Sequence, residues 1–281
     1  MIEKAPISVK NACKAFSISR QAFYKWKKHE FLNDTGDDVL AAMQDIALEF
    51  PKYGYRRVTH ALRRNGVIAN HKKVRRIMKE NNLLVRRKKS KPMTTQSNHS
   101  LQKYPNLVKD MVIARINQAW VSDITYISLL HEFVYLAVIM DLFSRCCIGW
   151  ALSRNPDSQL TLDALNMAIA MRGDVTGCIH HSDHGVQYAA HAYVQRLHEA
   201  GMKPSMGEKG NSYENAFAES FIKTIKYEEV YMNEYNTMED VRCNIEQFIS
   251  EVYNKKRLHS SIGYKPPMEF ENEVLNKSSL N

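Results

Sequence analysis

The sequence predicts an α/β protein, a mixed sheet with helices on its faces, preceded by small all-α modules of helix-turn-helix type. Three observations lead there. Charge is divided along the chain: residues 1–110 hold 24 Lys and Arg against 9 Asp and Glu, and residues 111–281 hold 15 against 21, within a total of +9. The first 85 residues carry apolar stripes at helical spacing, broken by Ser, Gly and Pro. From Asn117 onward, apolar runs rich in β-branched and aromatic residues alternate with amphipathic stretches in the order β-β-β-α-β-α-β-α.

Taken in order, Ser8 to Phe16 reads as a short helix with Val9, Ala12, Cys13 and Phe16 on one stripe. A turn follows, and a second helix opens at Ser19 as N-cap. That helix would offer Arg20, Gln21, Tyr24 and Lys25 to a DNA groove. A second unit begins with a helix over 37–50, broken by Pro51 and Gly54, and continues through Tyr53-Gly54-Tyr55-Arg56-Arg57 into helices over 58–65 and 71–81. The last of these turns Val74, Ile77 and Met78 inward and Lys72, Lys73, Arg75, Arg76 and Lys79 outward. Five cations on so short a helix repel one another unless a polyanion lies nearby, and duplex DNA supplies one. Residues 86–106 are basic and polar without apolar period, a linker. Strands are expected over 121–130, 133–141, 146–152, 178–181 and 202–206. Helices are expected over 159–171, 190–200, 214–228 and 238–253, the last followed by the basic turn Lys255-Lys256-Arg257.

A hydrophobic share of 44% is enough for a packed core, and the apolar stretch Leu136 to Met140 is far too short to span a bilayer. The N-terminus lacks the apolar core and small-residue cleavage site of a signal peptide. Five cysteines, odd in number and without CxxC spacing, point to a reduced, cytoplasmic protein with buried thiols, and argue against a zinc framework; within the cytoplasm, association with the nucleoid is expected. His180, His181 and His184 surround Asp183, but no distant Cys/His pair completes a zinc set.

Three acids sit where a carboxylate is costly. Asp123 lies mid-run in an otherwise apolar strand, Asp183 follows a strand and precedes Gly185, and Glu219 stands on a helix with 35 residues separating it from Asp183. A buried carboxylate needs a cation or several hydrogen bonds. Arg145 is the plain candidate to pair with Asp123, a turn role the plain reading of Asp183, and a surface pair with Lys223 that of Glu219. Jointly, the three make a hard-oxygen site suited to Mg²⁺ or Mn²⁺ and to work on a phosphodiester backbone.

At WVSDITYI, YLAVIMDLFSRCCIGW, HHSDHGVQYAA, GNSYENAFAESFIKTIKYE and YNKKRLHSSIGYKPPMEF, and at SRQAFYKW and YGYRRVTHAL…NHKKVRRIMKENNL before them, the chain resembles the DDE transposase and retroviral integrase superfamily. More closely it resembles the second-frame protein (OrfB) of the insertion-sequence family IS-three. The likeness implies an RNase H-like integrase catalytic core in which Asp123, Asp183 and Glu219 are the catalytic, metal-holding acids with two Mg²⁺ or Mn²⁺ ions. It places Lys226, two turns past Glu219, near the DNA end; Glu214 and Glu228 fit the spacing worse.

The implied organisation is a helix-turn-helix-like segment over 1–32, a second DNA-binding module over 33–85, a basic linker over 86–110, the catalytic core over 111–235, and a C-terminal helix and basic tail over 236–281. Implied partners are double-stranded DNA (element ends and target), further copies of the chain on DNA, and an upstream-frame OrfA protein or fusion, since no heptad zipper is visible after Met1. Arg20, Lys25, Arg56, Arg57, Lys72, Lys73, Arg75, Arg76, Lys226 and Arg257 are the expected DNA contacts. The implied activity is cleavage of insertion-sequence ends and joining of the freed 3′-hydroxyl to another phosphodiester. The alternatives are a DNA-binding regulator with little catalysis of its own and an RNase H-type ribonuclease.

Overall fold

The computed structural model describes residues 9, 13, 14, 16–85, 103–207 and 216–278, with the backbone alone over 25–37. The chain forms two compact units, Met1–Arg87 and Lys88–Asn281.

Among the described residues of the first unit, three helices have their bounds given: α1 (Arg20–Glu49), α2 (Tyr55–Arg64) and α3 (His71–Glu80). Ser19 caps α1 as expected, its side chain accepting a hydrogen bond from the Ala22 N–H at 3.0 Å. The break expected between two helices near residue 32 is absent; α1 runs unbroken for 30 residues, so the boundary drawn at 32/33 falls inside a helix. Of the first expected helix, Cys13 is buried while Phe16 is 64% exposed, and Ala12 lies outside the described residues. Val39, Met43 and Ile46 of α1 are buried, as are Val58 and Leu62 of α2 and Val74, Ile77 and Met78 of α3. Gly66 makes the turn between α2 and α3 at φ 81°, a backbone region open to glycine at little cost. Asn70 caps α3 by accepting from the Lys72 N–H at 2.9 Å.

The second unit is a five-stranded sheet with helices on both faces. Its strands are β1 (Ala119–Ser128), β2 (Phe133–Asp141), β3 (Cys147–Ser153), β4 (Ile179–Ser182) and β5 (Lys203–Met206), in the order β3-β2-β1-β4-β5. The first three pair antiparallel, and β4 and β5 add in parallel. Each expected strand is found within two residues of its expected ends.

The alternation along β1 divides the core. Ala119 and Val121 pack with α7 (Ala216–Glu228) and α8 (Met238–Gln247), whereas Trp120 packs on the other face with α4 (Ser158–Arg172), a short α5 (Val186–Ala189) and α6 (His191–Glu199). Gly149 in β3 permits the close approach of α4, since a Cβ there would lie 2.8 Å from the Ala168 Cβ and press on the Ala164 carbonyl.

The C-terminal region belongs to the same core. Val241, Ile245, Phe248, Ile249 and Tyr253 are buried with the sheet residues, so the boundary drawn at 235/236 divides one hydrophobic cluster. Helix α8 continues into a π-helical turn over Phe248–Tyr253. It delivers Asn254 to β3, where the side chain accepts from the Cys147 N–H at 3.0 Å and donates to the Cys147 carbonyl at 2.8 Å. A last helix, α9 (Pro267–Ser278), was not expected, although Pro267 at its first position is a helix-start signal. Its Glu271 forms a buried ion pair with Arg172 of α4. Among the described residues, Cys13, Cys146, Cys147 and Cys178 are buried free thiols, and no helix is long and apolar enough to cross a membrane.

Candidate active site

β4 pairs with β1 only over Ala119–Val121. Beyond Val121 the two strands part, and the carboxyl end of β4 opens into the loop that carries Asp183. In sheets flanked by helices this is where ligands gather. Asp123 lies on β1 two residues past the last paired position, on the face that α7 covers. Both aspartates are partly buried.

The electrostatics show what the fold brings together. Burial raises the Asp123 carboxyl, the nearby Asp183 raises it further, Glu219 adds a smaller push, and its pKa stands at about 7 despite the Ile124 N–H it accepts at 2.8 Å and the Lys226 ammonium. Asp183 is also raised by burial, against the Gly185 N–H that it accepts at 2.9 Å and the influence of His184. Of the charged groups that act on Asp123, Asp183 acts most strongly. Glu219, exposed in the first turn of α7, acts on Asp123 more weakly than Asp183 does. Among the described residues no three His, Cys, Asp or Glu side chains already stand as a metal cage.

Arg145, the plain partner for Asp123, is engaged elsewhere, with its guanidinium carbon 3.8 Å from the centre of the Phe217 ring and its charge felt by Asp141. Asp141 is the contrasting acid. It is more deeply buried than Asp123, but its oxygens accept from the backbone N–H groups of Asn117, Phe143 and Ser144 at 2.7–3.0 Å, which makes it a turn-forming group. Sequence reasoning missed Tyr188, a core residue packed with Trp120 and Tyr193, whose buried hydroxyl is pushed up by burial, by Tyr193 and by both Asp123 and Asp183. His180 donates to or accepts from Tyr193 at 2.9 Å, and burial lowers it to about 3, so it is a neutral core residue. His181 meets Ser205 at 2.9 Å.

Helix α7 has two working faces. Glu219, Lys223 and Lys226 follow one another at i, i+4 and i+7, and Phe221, Ile225 and Glu228 do the same on the opposite side. Lys226 is half-buried, with its ammonium 4.5 Å from the centre of the Tyr126 ring. On the back of the helix, Arg257 grips Glu228 through two 2.7 Å bonds and reaches the Thr224 hydroxyl at 3.4 Å. This corrects the expectation that Arg257 meets DNA. It is 3% exposed, and its fork is committed to α7.

In the first unit, Arg20, Arg56, Lys72, Arg75 and Arg76 are exposed, Arg57 and Lys73 are half-exposed, and the Lys25 side chain lies outside the described residues. Arg56 and Arg75 flank the Tyr55 ring at 5.3 and 5.7 Å, and Arg57 lies 5.7 Å from the Tyr53 ring.

Comparison with known proteins places these elements. An HTH-like domain model matches residues 35–91, and two integrase core domain models match residues 114–212 and 200–267. The chain is 34% identical to an insertion element IS600 31 kDa protein of Shigella sonnei over 262 residues, covering 92% of this chain and 96% of that one. It is 32% identical to the transposase InsF for insertion sequence IS3A of Escherichia coli K12 over 285 residues, covering 98% of each. A chain of the simian T-cell lymphotropic virus intasome resembles it with a TM-score of 0.48 at 16% identity, covering 78% of this chain and 70% of that one. A helix-turn-helix-like unit, an integrase core and full-length similarity to InsF together mean that the chain belongs to the IS3 family of insertion-sequence transposases.

Proposed function

We propose that the second unit is a DDE-type polynucleotidyl transferase that cuts insertion-sequence ends and joins the freed 3′-hydroxyl to another phosphodiester, with Asp123, Asp183 and Glu219 as its catalytic acids. The observation that carries this reading is the raised Asp123 carboxyl beside Asp183. Two partly buried acids with one half-buried lysine nearby leave a site short of positive charge. The donors are all carboxylate oxygens, the set that fits Mg²⁺ or Mn²⁺. The three acids would hold two such ions, which when bound supply Lewis-acid charge to the attacking and leaving oxygens. Asp123 holds the site from within β1 and Asp183 from the loop that follows β4. Glu219 closes it from α7, and Lys226 on the same helix face holds the DNA backbone beside it.

The first unit binds duplex DNA, with α3 as the recognition helix and Arg20, Lys25, Arg56 and Arg57 as additional backbone contacts. Copies of the chain assemble on DNA, and an upstream-frame protein or fusion adds recognition of the ends. Replacing Lys72 and Arg75 with Gln lowers the slope of log affinity against log salt by about 1 for each phosphate no longer neutralised, measured by titrating labelled duplex at several salt concentrations. An unchanged slope would remove α3 from the DNA.

The activity is tested by supplying labelled element-end DNA or an RNA–DNA hybrid with Mg²⁺, then EDTA. Metal-dependent cutting of DNA ends supports the transposase. Cutting of the hybrid alone supports a ribonuclease, and binding without cutting supports the regulator.

A further inference from the structure

Next to the acid pair the protein exposes aromatic rings that metal binding does not require. Past Val121 the edge of β1 is unpaired by β4. Along it, Tyr126 is 36% exposed, and Phe133 of β2, 54% exposed, stands edge-on to it at 5.4 Å. The two are diagonal neighbours on one face of the β1–β2 pair, since Ser128 is the residue opposite Phe133. From beyond α7, Tyr231 is 64% exposed, packs edge-on to Tyr227 at 5.5 Å and lies near enough to Tyr126 to be influenced by it. The Lys226 ammonium sits over the Tyr126 ring in their midst.

A cluster of exposed rings in one place marks a binding surface, because each ring left in water forgoes the gain of burial. The chemistry of the partner follows from the mixture. Ring faces take another π-face, and the ammonium takes an anion. A nucleotide offers both, a base and a phosphate. Paired bases inside a duplex hide their faces by stacking, so the base that fits here is an unpaired one. Tyr126 stands about 10 Å along β1 from Asp123 and alternates to the other side of the strand. Lys226, however, joins the two places around the open edge, its ammonium lying over the Tyr126 ring while its charge acts on Asp123. The distance along the strand is within about three nucleotides at the ~3.4 Å spacing of stacked bases.

We propose that Tyr126, Phe133 and Tyr231 form a stacking shelf for an unpaired base one to three nucleotides from the phosphodiester being cut, with Lys226 on that nucleotide's phosphate. The proposal rests on the catalytic reading above for its position and names the state of the DNA that the site accepts, an end already opened.

The test uses the full chain in EDTA, so that nothing is cut, and two hairpin duplexes. One is blunt and one bears a three-nucleotide unpaired tail with 2-aminopurine at its centre. The wild type should bind the tailed hairpin about 5- to 150-fold more tightly than the blunt one, the range of one stacked base, with quenching of the 2-aminopurine. Tyr126→Ala with Phe133→Ala should erase that preference and leave blunt-duplex affinity as it was, while Tyr126→Phe, which keeps the π-face, should retain it. Should the double variant fold poorly, the exposed Tyr231→Ala alone must reduce the preference.

A wild type without preference for the tail, or variants that keep it in full, overturns the shelf. So does a double variant that loses self-association while its tail preference stays intact, because the rings would then join copies of the chain. A wild type that fails to cut DNA in Mg²⁺ yet prefers the tail overturns the catalytic reading alone. One that cuts but has no tail preference overturns the shelf alone.

Discussion

Asp183→Asn should abolish both end cleavage and strand joining, by at least about 10³-fold or roughly 4 kcal/mol of transition-state stabilisation, while duplex binding persists. The substitution is nearly isosteric, and an amide oxygen can still accept the Gly185 N–H that Asp183 accepts at 2.9 Å, so the loop survives. What disappears is the negative charge that Asp123 feels most strongly among its charged neighbours. A gel assay with end-bearing DNA in Mg²⁺ or Mn²⁺, beside a binding titration in EDTA, separates the two properties. Cutting at the wild-type rate would remove Asp183 from the site.

The same acids predict a pH-dependent response to metal. The Asp123 pKa of about 7 lies above its unfolded value of 3.8, so the folded state binds the extra proton between them. This contribution to stability is present at low pH and is lost as pH rises through about 7. A divalent cation relieves the repulsion that remains when the acids are ionised. Added Mg²⁺ should therefore raise the melting temperature more at about pH 8 than at about pH 5, and Asp123→Asn should flatten the difference.

Arg257→Met should destabilise the second unit by about 3–5 kcal/mol, the usual cost of stranding one partner of a buried ion pair. The Glu228 side chain is 13% exposed and has both oxygens on the Arg257 guanidinium. Arg257→Lys should recover only part of the loss, because an ammonium cannot match the two-pronged geometry. Pairing Arg257→Met with Glu228→Met should restore much of it, since no charge is then left stranded. Urea unfolding of the wild type, Arg257→Met, Glu228→Met and the double variant gives the coupling energy. A single variant as stable as the wild type would mean that the pair does not hold α7.

The sheet was legible because its signals are local. β2 is found at its expected ends, Phe133–Asp141, since a run of apolar and β-branched residues bounded by a charged turn has few other solutions. Asp123 stood out for a similar local reason, because a carboxylate inside an apolar run contradicts its surroundings. The role of Arg257 was not. In sequence it is one cation in a basic turn, and only the folded chain brings Glu228, 29 residues away, against it. The unbroken α1 was hidden for the opposite reason: Asn33, Asp34, Thr35 and Gly36 have turn chemistry, yet the helix continues through them. The aromatic shelf leaves a faint local trace, because Tyr126 and Phe133 stand where a strand at the surface would carry polar side chains.

The grip of Arg257 on α7 has a consequence for how the protein is made. Synthesis is vectorial, and residues emerging first begin to fold first. β1 with Asp123, and β4 with the Asp183 that follows it, leave the ribosome well before the residue that steadies the helix bearing Glu219. On the catalytic reading proposed above, a nascent chain has its first-unit helices and two of the three acids in hand while the third is still loosely held, and cutting competence would arrive late in translation, after the module that could tether the newborn protein to nearby DNA.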